Sequence, residues 1–283
     1  MNNPKTISED TKKIFRKCGA CSHTYFTLLN REFGYPKEAE ERASDTLAGG
    51  LMNGQQCGML WGATLAVGAE SFRRQPERAQ AIAAAITTTQ ALMDSFSERA
   101  KSVNCREIVG VDFADKFGIM KLMLKILFQG GLSNSTCFKL AGAWAPEAIQ
   151  TAREGLSREH TGSPEMPISC ATEVAQQMGA SDEEATMVAG FAGGMGLSGN
   201  ACGGLGAAIW MNTLAWNREH PDKASLSNPK VAATIKAFLA ETGGEFLCQK
   251  IAERRFGSIA EHTEFIKNGG CDALINVLAM ERI

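Results

Sequence analysis

Nine cysteines stand in this chain of 283 residues, and eight of them fall into two ordered sets of four. Cys21, Cys57, Cys105 and Cys137 form the first; Cys170, Cys202, Cys248 and Cys271 form the second. Each set is threaded by the same landmarks: Ala48-Gly-Gly-Leu51 and Ala192-Gly-Gly-Met195, Lys116-Phe-Gly118 and Arg255-Phe-Gly257, Gly130-Gly131 and Gly269-Gly270. Matching cysteines are offset by 149, 145, 143 and 134 residues, so the copies differ only by loop-sized gaps. A period that long means duplication of a domain-sized unit, not a solenoid. A cysteine that merely fills core space exchanges for Ala, Val or Met at a cost of about 1.5 kcal/mol or less. Retention of all four in both copies therefore points to a shared ligand or a disulfide relay.

Cys57 and Cys202 are the most suggestive pair. Each follows a polar or glycine-containing loop and opens an apolar stretch, Gly58–Gly68 or Gly203–Trp216, that reads as a helix. A thiol at a helix start faces unpaired N–H groups and the positive end of the dipole, which favour thiolate. These two are the candidate reactive thiols, and all eight cysteines are candidate metal ligands.

Other chemistries fare worse. Cys18-Gly-Ala-Cys21 is followed by Ser22, so it lacks the histidine that c-type haem attachment needs. On one continuous helix Cys18 and Cys21 would share a face, yet the second copy has Pro167 opposite Cys18. Zinc sites are usually built from two close Cys-x2-4-Cys knuckles, and here the separations are tens of residues. Iron–sulfur sites also often use tight runs, so spacing does not choose between metals. His23, His160, His220 and His262 have no counterparts in the other copy and read as surface or helix-end residues. The glycines of Ala192–Gly199 follow a helix, not a strand, which disfavours a nucleotide loop.

The elements that must position these sulfurs are helical. Arg74–Ala100, Met120–Phe128 and Val231–Leu239 carry apolar residues at three- and four-residue spacing, and alternating β-branched runs are missing. An uncharged run from Ala185 to Asn217 is broken by Met195–Asn200, leaving each part too short to span a bilayer; two core helices joined by a glycine turn are expected. Glu154–Pro167 is turn-rich and reads as a linker between a first domain (1–153) and a second (168–283). Net charge is −2 with no basic run, which argues against nucleic acid as the main partner. The first ten residues lack the apolar core of a signal peptide, so a cytoplasmic setting with reduced thiols is expected. No membrane partner is expected either.

The cysteine pattern resembles the C-GCAxxG-C-C family, named for its motif and credited with redox activity. The resemblance runs over about 18–150 and 165–283, once per half. Around the second cysteine the chain reads Gln56-Cys-Gly-Met-Leu-Trp-Gly62 and Ala201-Cys-Gly-Gly-Leu-Gly206, so neither copy has Gly before Cys or Ala after it. Related cysteine units occur in split-Soret cytochromes, where an iron–sulfur centre is implied. The resemblance thus implies an iron–sulfur cluster used for electron transfer or redox sensing, hence an oxidoreductase or electron-transfer protein. Metal-free thiol–disulfide chemistry is the alternative, and a structural or zinc-binding protein without turnover a third. The partner would be a redox protein or a small-molecule thiol or electron donor, and a homodimer is left open. The fold expected is all-α: two similar helical repeats packed with pseudo-two-fold symmetry.

Overall fold

A computed structural model describes residues 3–111, 117–158 and 166–280. Among them are fifteen α-helices and no strand. The first half holds α1 (Pro4–Cys18), α2 (Cys21–Phe33), α3 (Glu38–Ala43), α4 (Gly58–Arg74), α5 (Arg78–Ala100), α6 (Cys105–Val109), α7 (Gly118–Phe128) and α8 (Thr136–Leu156). The second holds α9 (Cys170–Gln177), α10 (Asp182–Met187), α11 (Gly203–Glu219), α12 (Pro229–Glu241), α13 (Cys248–Ile251), α14 (Ile259–Lys267) and α15 (Asp272–Met280).

Local chemistry sets many of the ends. Asn3 and Asn228 cap α1 and α12, each with Pro in the first turn, where its missing N–H costs nothing. Ser135 caps α8, and Ser181 with Glu184 forms a reciprocal capping box on α10. The helix expected over Arg74–Ala100 starts four residues later, as α5: Arg74 ends α4, and Gln75-Pro-Glu77 turns the chain into α5. The residue before a proline is pushed out of the helical region, and Gln75 is accordingly extended. Of the two helices expected between Ala185 and Asn217, only α11 is long; the other is the tail of α10 and a short 3-10 turn. No helix among the described residues is long and apolar enough to cross a membrane. Helix α8 carries on to Leu156, and half of the Glu154–Pro167 segment, residues 159–165 with His160 among them, lies outside the described residues, as does Lys116.

The two halves pack reciprocally. Helix α4 takes α10 of the second half, and α11 takes α3 of the first, the exchange a pseudo-two-fold axis produces. Trp61 of α4 meets Phe191 edge-on at 4.6 Å and lies over Gly206, where a Cβ would collide with its ring. On the other side Trp210 Nε1 donates to Glu40 O at 3.1 Å. Trp61, Trp210 and Phe191 are fully buried, so the seam is part of one continuous core.

Candidate functional site

All eight family cysteines sit at helix starts. Cys21, Cys105, Cys170 and Cys248 are the first residues of α2, α6, α9 and α13; Cys57 and Cys202 are the N-caps of α4 and α11. Cys137 is the second residue of α8, and Cys271 directly precedes α15. Helix starts carry orphan N–H groups and partial positive charge, so each set of sulfurs lies where a developing negative charge is best received.

Two backbone clamps draw the middle cysteines together. Cys57 N–H donates to Val103 O at 2.8 Å, and Cys105 N–H to Gln55 O at 2.7 Å. The second half repeats this with Cys202 N–H to Phe246 O at 2.8 Å and Cys248 N–H to Asn200 O at 2.6 Å. These pairs flank the isolated bridges Gln56–Asn104 and Ala201–Leu247.

The Ala-Gly-Gly landmark serves the first cysteine of each set. Gly49, Gly50, Leu51 and Met52 all have left-handed backbone, as do Gly193, Gly194, Met195, Gly196 and Leu197. In that conformation the Gly49 amide is aimed at the Cys21 sulfur and the Gly193 amide at Cys170. Successive amides turned to one side in this way make an anion-receiving nest. A non-glycine residue held left-handed costs roughly 1–2 kcal/mol, and each of these two turns holds two, Leu51 with Met52 and Met195 with Leu197.

In the second half Cys170, Cys202, Cys248 and Cys271 line one narrow cavity of about 20 Å³ with Phe256, His262 and Leu278. That is room for a water-sized atom, not for a small-molecule substrate. In the first half Cys21 Sγ lies against Gly58, directly beside Cys57, and the two thiols shift each other, Cys21 down and Cys57 up. Cys105 and Cys137 lie close enough for charge on Cys21 to push both thiols up. The sequence-expected set is therefore gathered into one neighbourhood per half, and all nine cysteines are free thiols.

Burial dominates the titration of most of them. It pushes Cys202 up to about 12, helped by the charge of Cys170, and Cys137 up to about 12. Cys105, Cys248, Cys271 and Cys170 are raised for the same reason. The helix-start field favours thiolate at Cys57 and Cys202, but it is outweighed at both: at Cys57 first by the interaction with Cys21 and then by burial, at Cys202 by desolvation. The lowered thiol is Cys21: interaction with the Cys57 thiol, with the amides of Gly49 and Ser22, brings it to about 7 against its burial.

Among the described residues no three His, Cys, Asp or Glu side chains are grouped to hold a metal ion. Four thiols among amides suit the donor chemistry of zinc or an iron–sulfur cluster, but their spacing as it stands does not fit a single ion.

Two histidines that spacing could not place belong to these surroundings. His262 is 2% exposed, its Nδ1 lies 3.1 Å from Ile168 O, and burial lowers it to about 4. His23 Nδ1 lies 2.9 Å from Asp45 Oδ1. Burial pulls His23 down, yet the Asp45 carboxylate and the neighbouring Cys18 thiol outweigh it and hold the ring at about 9. Cys18 and Cys21 do not share one helix: Gly19, left-handed at φ 76°, ends α1, and α2 restarts at Cys21.

Fold and site thus define an all-α protein with a duplicated four-cysteine unit. The family model described as "Putative redox-active protein (C_GCAxxG_C_C)" matches residues 20–148 and again 168–280. The chain belongs to this family and carries two tandem copies of its unit. No curated protein and no solved structure matches it.

Proposed function

We propose that the chain is a thiol-based redox protein whose first half works through a Cys21–Cys57 dithiol–disulfide couple. The seating of Cys21 Sγ against Gly58, directly beside Cys57, with the Cys21 thiol shifted down and the Cys57 thiol up, carries the reading. One thiol is held near half ionisation at neutral pH while its partner keeps the proton, the asymmetry that thiol–disulfide exchange uses. Cys21 is half-buried, so an oxidant reaches it, whereas Cys57 behind it is 3% exposed and resolves.

A second reading is favoured by the other half, where four cysteines from four helix starts ring one apolar cavity. Cys170, Cys202, Cys248 and Cys271 would supply the four thiolates of an iron–sulfur cluster once their helix starts draw apart to admit it, and the cluster would bring one-electron chemistry, with the Gly193 and Gly204 amides donating to Cys170 and so raising the potential.

One preparation separates the two. Anaerobically purified protein is analysed for colour, iron and acid-labile sulfide, then mildly oxidised and mapped for disulfides. Colourless, iron-free protein that loses two thiols at Cys21 and Cys57 supports the dithiol couple. Brown protein with iron and sulfide, and no Cys21–Cys57 bond on oxidation, would replace it with the cluster reading.

A further inference from the structure

Helix α7 lies beside the first cysteine group with its most apolar side turned outward. Met123, Leu124 and Leu127 are 66%, 47% and 69% exposed, and Met120 and Phe128 extend the same surface. Single exposed apolar side chains are ordinary. A contiguous strip of them on one helix marks a surface built to be covered.

The duplication points to the cover. Eleven residues separate the Phe-Gly and Gly-Gly landmarks in both copies (119–129 and 258–268), so α7 and α14 align without a gap. His262, Thr263 and Ile266 stand opposite Met123, Leu124 and Leu127, and all three are buried. They seat α14 on the residue two places before the first cysteine. Ile168 N–H donates to Thr263 Oγ1 at 3.1 Å, and His262 Nδ1 lies 3.1 Å from Ile168 O. From that seat His262 and Phe265 wall the cavity of the four cysteines. Helix α7 rests instead on its neighbouring face. Leu122 packs on the cluster of Cys105, Val109 and Val111, and Lys125 Nζ donates to Val109 O at 2.5 Å. Opposite these two residues α14 has Glu261 and Glu264, both exposed.

The matching seat in the first half is open. Gly19, opposite Ile168, is exposed, and a Cβ there would meet nothing within 4 Å. Ala20 and Cys21 are half-buried where Ser169 and Cys170 are buried. The chain also has the means to reach this seat. Gly130 and Gly131, left-handed at φ 88° and 92°, follow α7, and a few residues at an element's end can absorb the backbone change of a hinge. Residues 132–136 then separate Gly131 from Cys137, whereas Cys271 follows Gly270 directly.

We propose that α7 is a lid on the first cysteine group, open here, which closes by turning Met123, Leu124 and Leu127 onto Gly19 and Cys21 as α14 is seated on Ile168. The second group is then built sealed and the first built to be entered. Open, the lid leaves Cys21 within reach of a substrate; closed, its apolar side chains exclude water and bulky reagents. This gating holds whichever chemistry Cys21 and Cys57 perform.

Reduced full-length protein, labelled with a maleimide that carries a polyethylene glycol chain, tests this when modification of Cys21 is timed by peptide mapping. Met123→Asp with Leu127→Asp puts charge where it is solvated in the open form and buried in the closed one. Labelling should speed up at least about threefold, the change expected if the closed seat holds roughly two thirds of the molecules or more. Leu122→Glu with Lys125→Glu gives the inner face of α7 the residues of α14 and releases its hold on Val109. That variant should label more slowly than wild type. A helix fixed open would be indifferent to the first pair, and one that merely loosens would label faster in the second; either result overturns the lid. So does protection of wild-type Cys21 that is lost on dilution together with a dimer seen in sedimentation, since a second copy would then cover the strip.

Discussion

Cys21 and Cys57 are 36 positions apart in the sequence, yet the starts of α2 and α4 bring them together, Cys21 Sγ lying 2.5 Å from where a Cβ on Gly58 would stand. Interaction with the Cys57 thiol, and with the Gly49 and Ser22 amides, brings Cys21 to about 7 from an ordinary 9.0. In reduced, metal-free protein the alkylation rate of Cys21 should rise with a midpoint near pH 7, while Cys202 stays unreactive until strongly alkaline pH. Cys57→Ala should move the Cys21 midpoint upward. A midpoint unchanged by that substitution would mean that the amides alone set it.

Gly58 makes the close approach of these sulfurs feasible. A Cβ there would lie 2.5 Å from Cys21 Sγ and 3.0 Å from the Ala48 backbone. Gly58→Ala should cost about 1–3 kcal/mol, the usual range for overpacking a core, and should push Cys21 off Cys57, slowing formation of their disulfide. At Gly204 the nearest atom to a new Cβ is Leu278 Cδ1 at 3.3 Å, the end of a flexible side chain. Gly204→Ala should therefore be the milder change in denaturant melts.

His262 should make the second half acid-sensitive. Its folded value, about 4, lies below the ordinary 6.5, so the unfolded chain binds a proton that the folded chain refuses. Its contribution is complete above about pH 6.5 and is lost as pH falls toward 4. At about 1.4 kcal/mol per unit the loss approaches about 3 kcal/mol. Stability measured in urea between pH 7 and 4 should fall by an amount of this order, and His262→Gln should flatten that part of the curve.

Much of this architecture is legible in the residues. The paired landmarks reveal the duplication, apolar spacing reveals the helices, and the matched cysteines form one neighbourhood per half. What sequence pattern misses is three-dimensional. The helix-start argument favours Cys57 and Cys202 as thiolates, but it carries no measure of burial, which reverses the balance at both. Cys18-Gly-Ala-Cys21 reads as one helical face until Gly19 turns left-handed and splits it. Asp45 and His23, 22 positions apart, meet at 2.9 Å where Ser22 Oγ holds the Asp45 turn against α2. Asp45 lies three residues before the Ala-Gly-Gly landmark, the one local hint that this turn faces the first cysteine. His262 shows helical amphipathic burial that its lack of a duplicate partner conceals.

Gln56 is the residue through which the two cysteine groups are joined. It stands directly before Cys57, yet its side chain reaches the other half: Nε2 donates to Gly194 O at 3.1 Å, and Oε1 accepts from Ala201 N–H at 2.9 Å. Ala201 precedes Cys202, and a Cβ on Gly194 would meet Cys248 at 2.9 Å, so both contacts land on the frame of the second site. The amide is fully buried, and Trp61 Nε1 donates to the Gln56 backbone oxygen at 3.1 Å, fixing the residue to the seam. Replacing Gln56 by Leu keeps most of the volume but leaves the buried Ala201 N–H without its partner, while Gly194 O keeps the hydrogen bond from Ser198 Oγ at 2.6 Å. One unsatisfied buried group costs about 1–3 kcal/mol, and a loss of that order is expected in denaturant titrations. The effect on chemistry should be sharper than that on stability. Alkylation of Cys202 and Cys248, protected in the wild type by their clamped loops, should speed up in Gln56→Leu although both lie in the opposite half. Gln56→Glu separates hydrogen bonding from shape, since a carboxylate still accepts from Ala201 N–H but faces Gly194 O without a hydrogen to give. It should protect Cys202 better than it protects Cys248. Equal labelling of both cysteines in wild type and in Gln56→Leu would show that the halves guard their sulfurs independently.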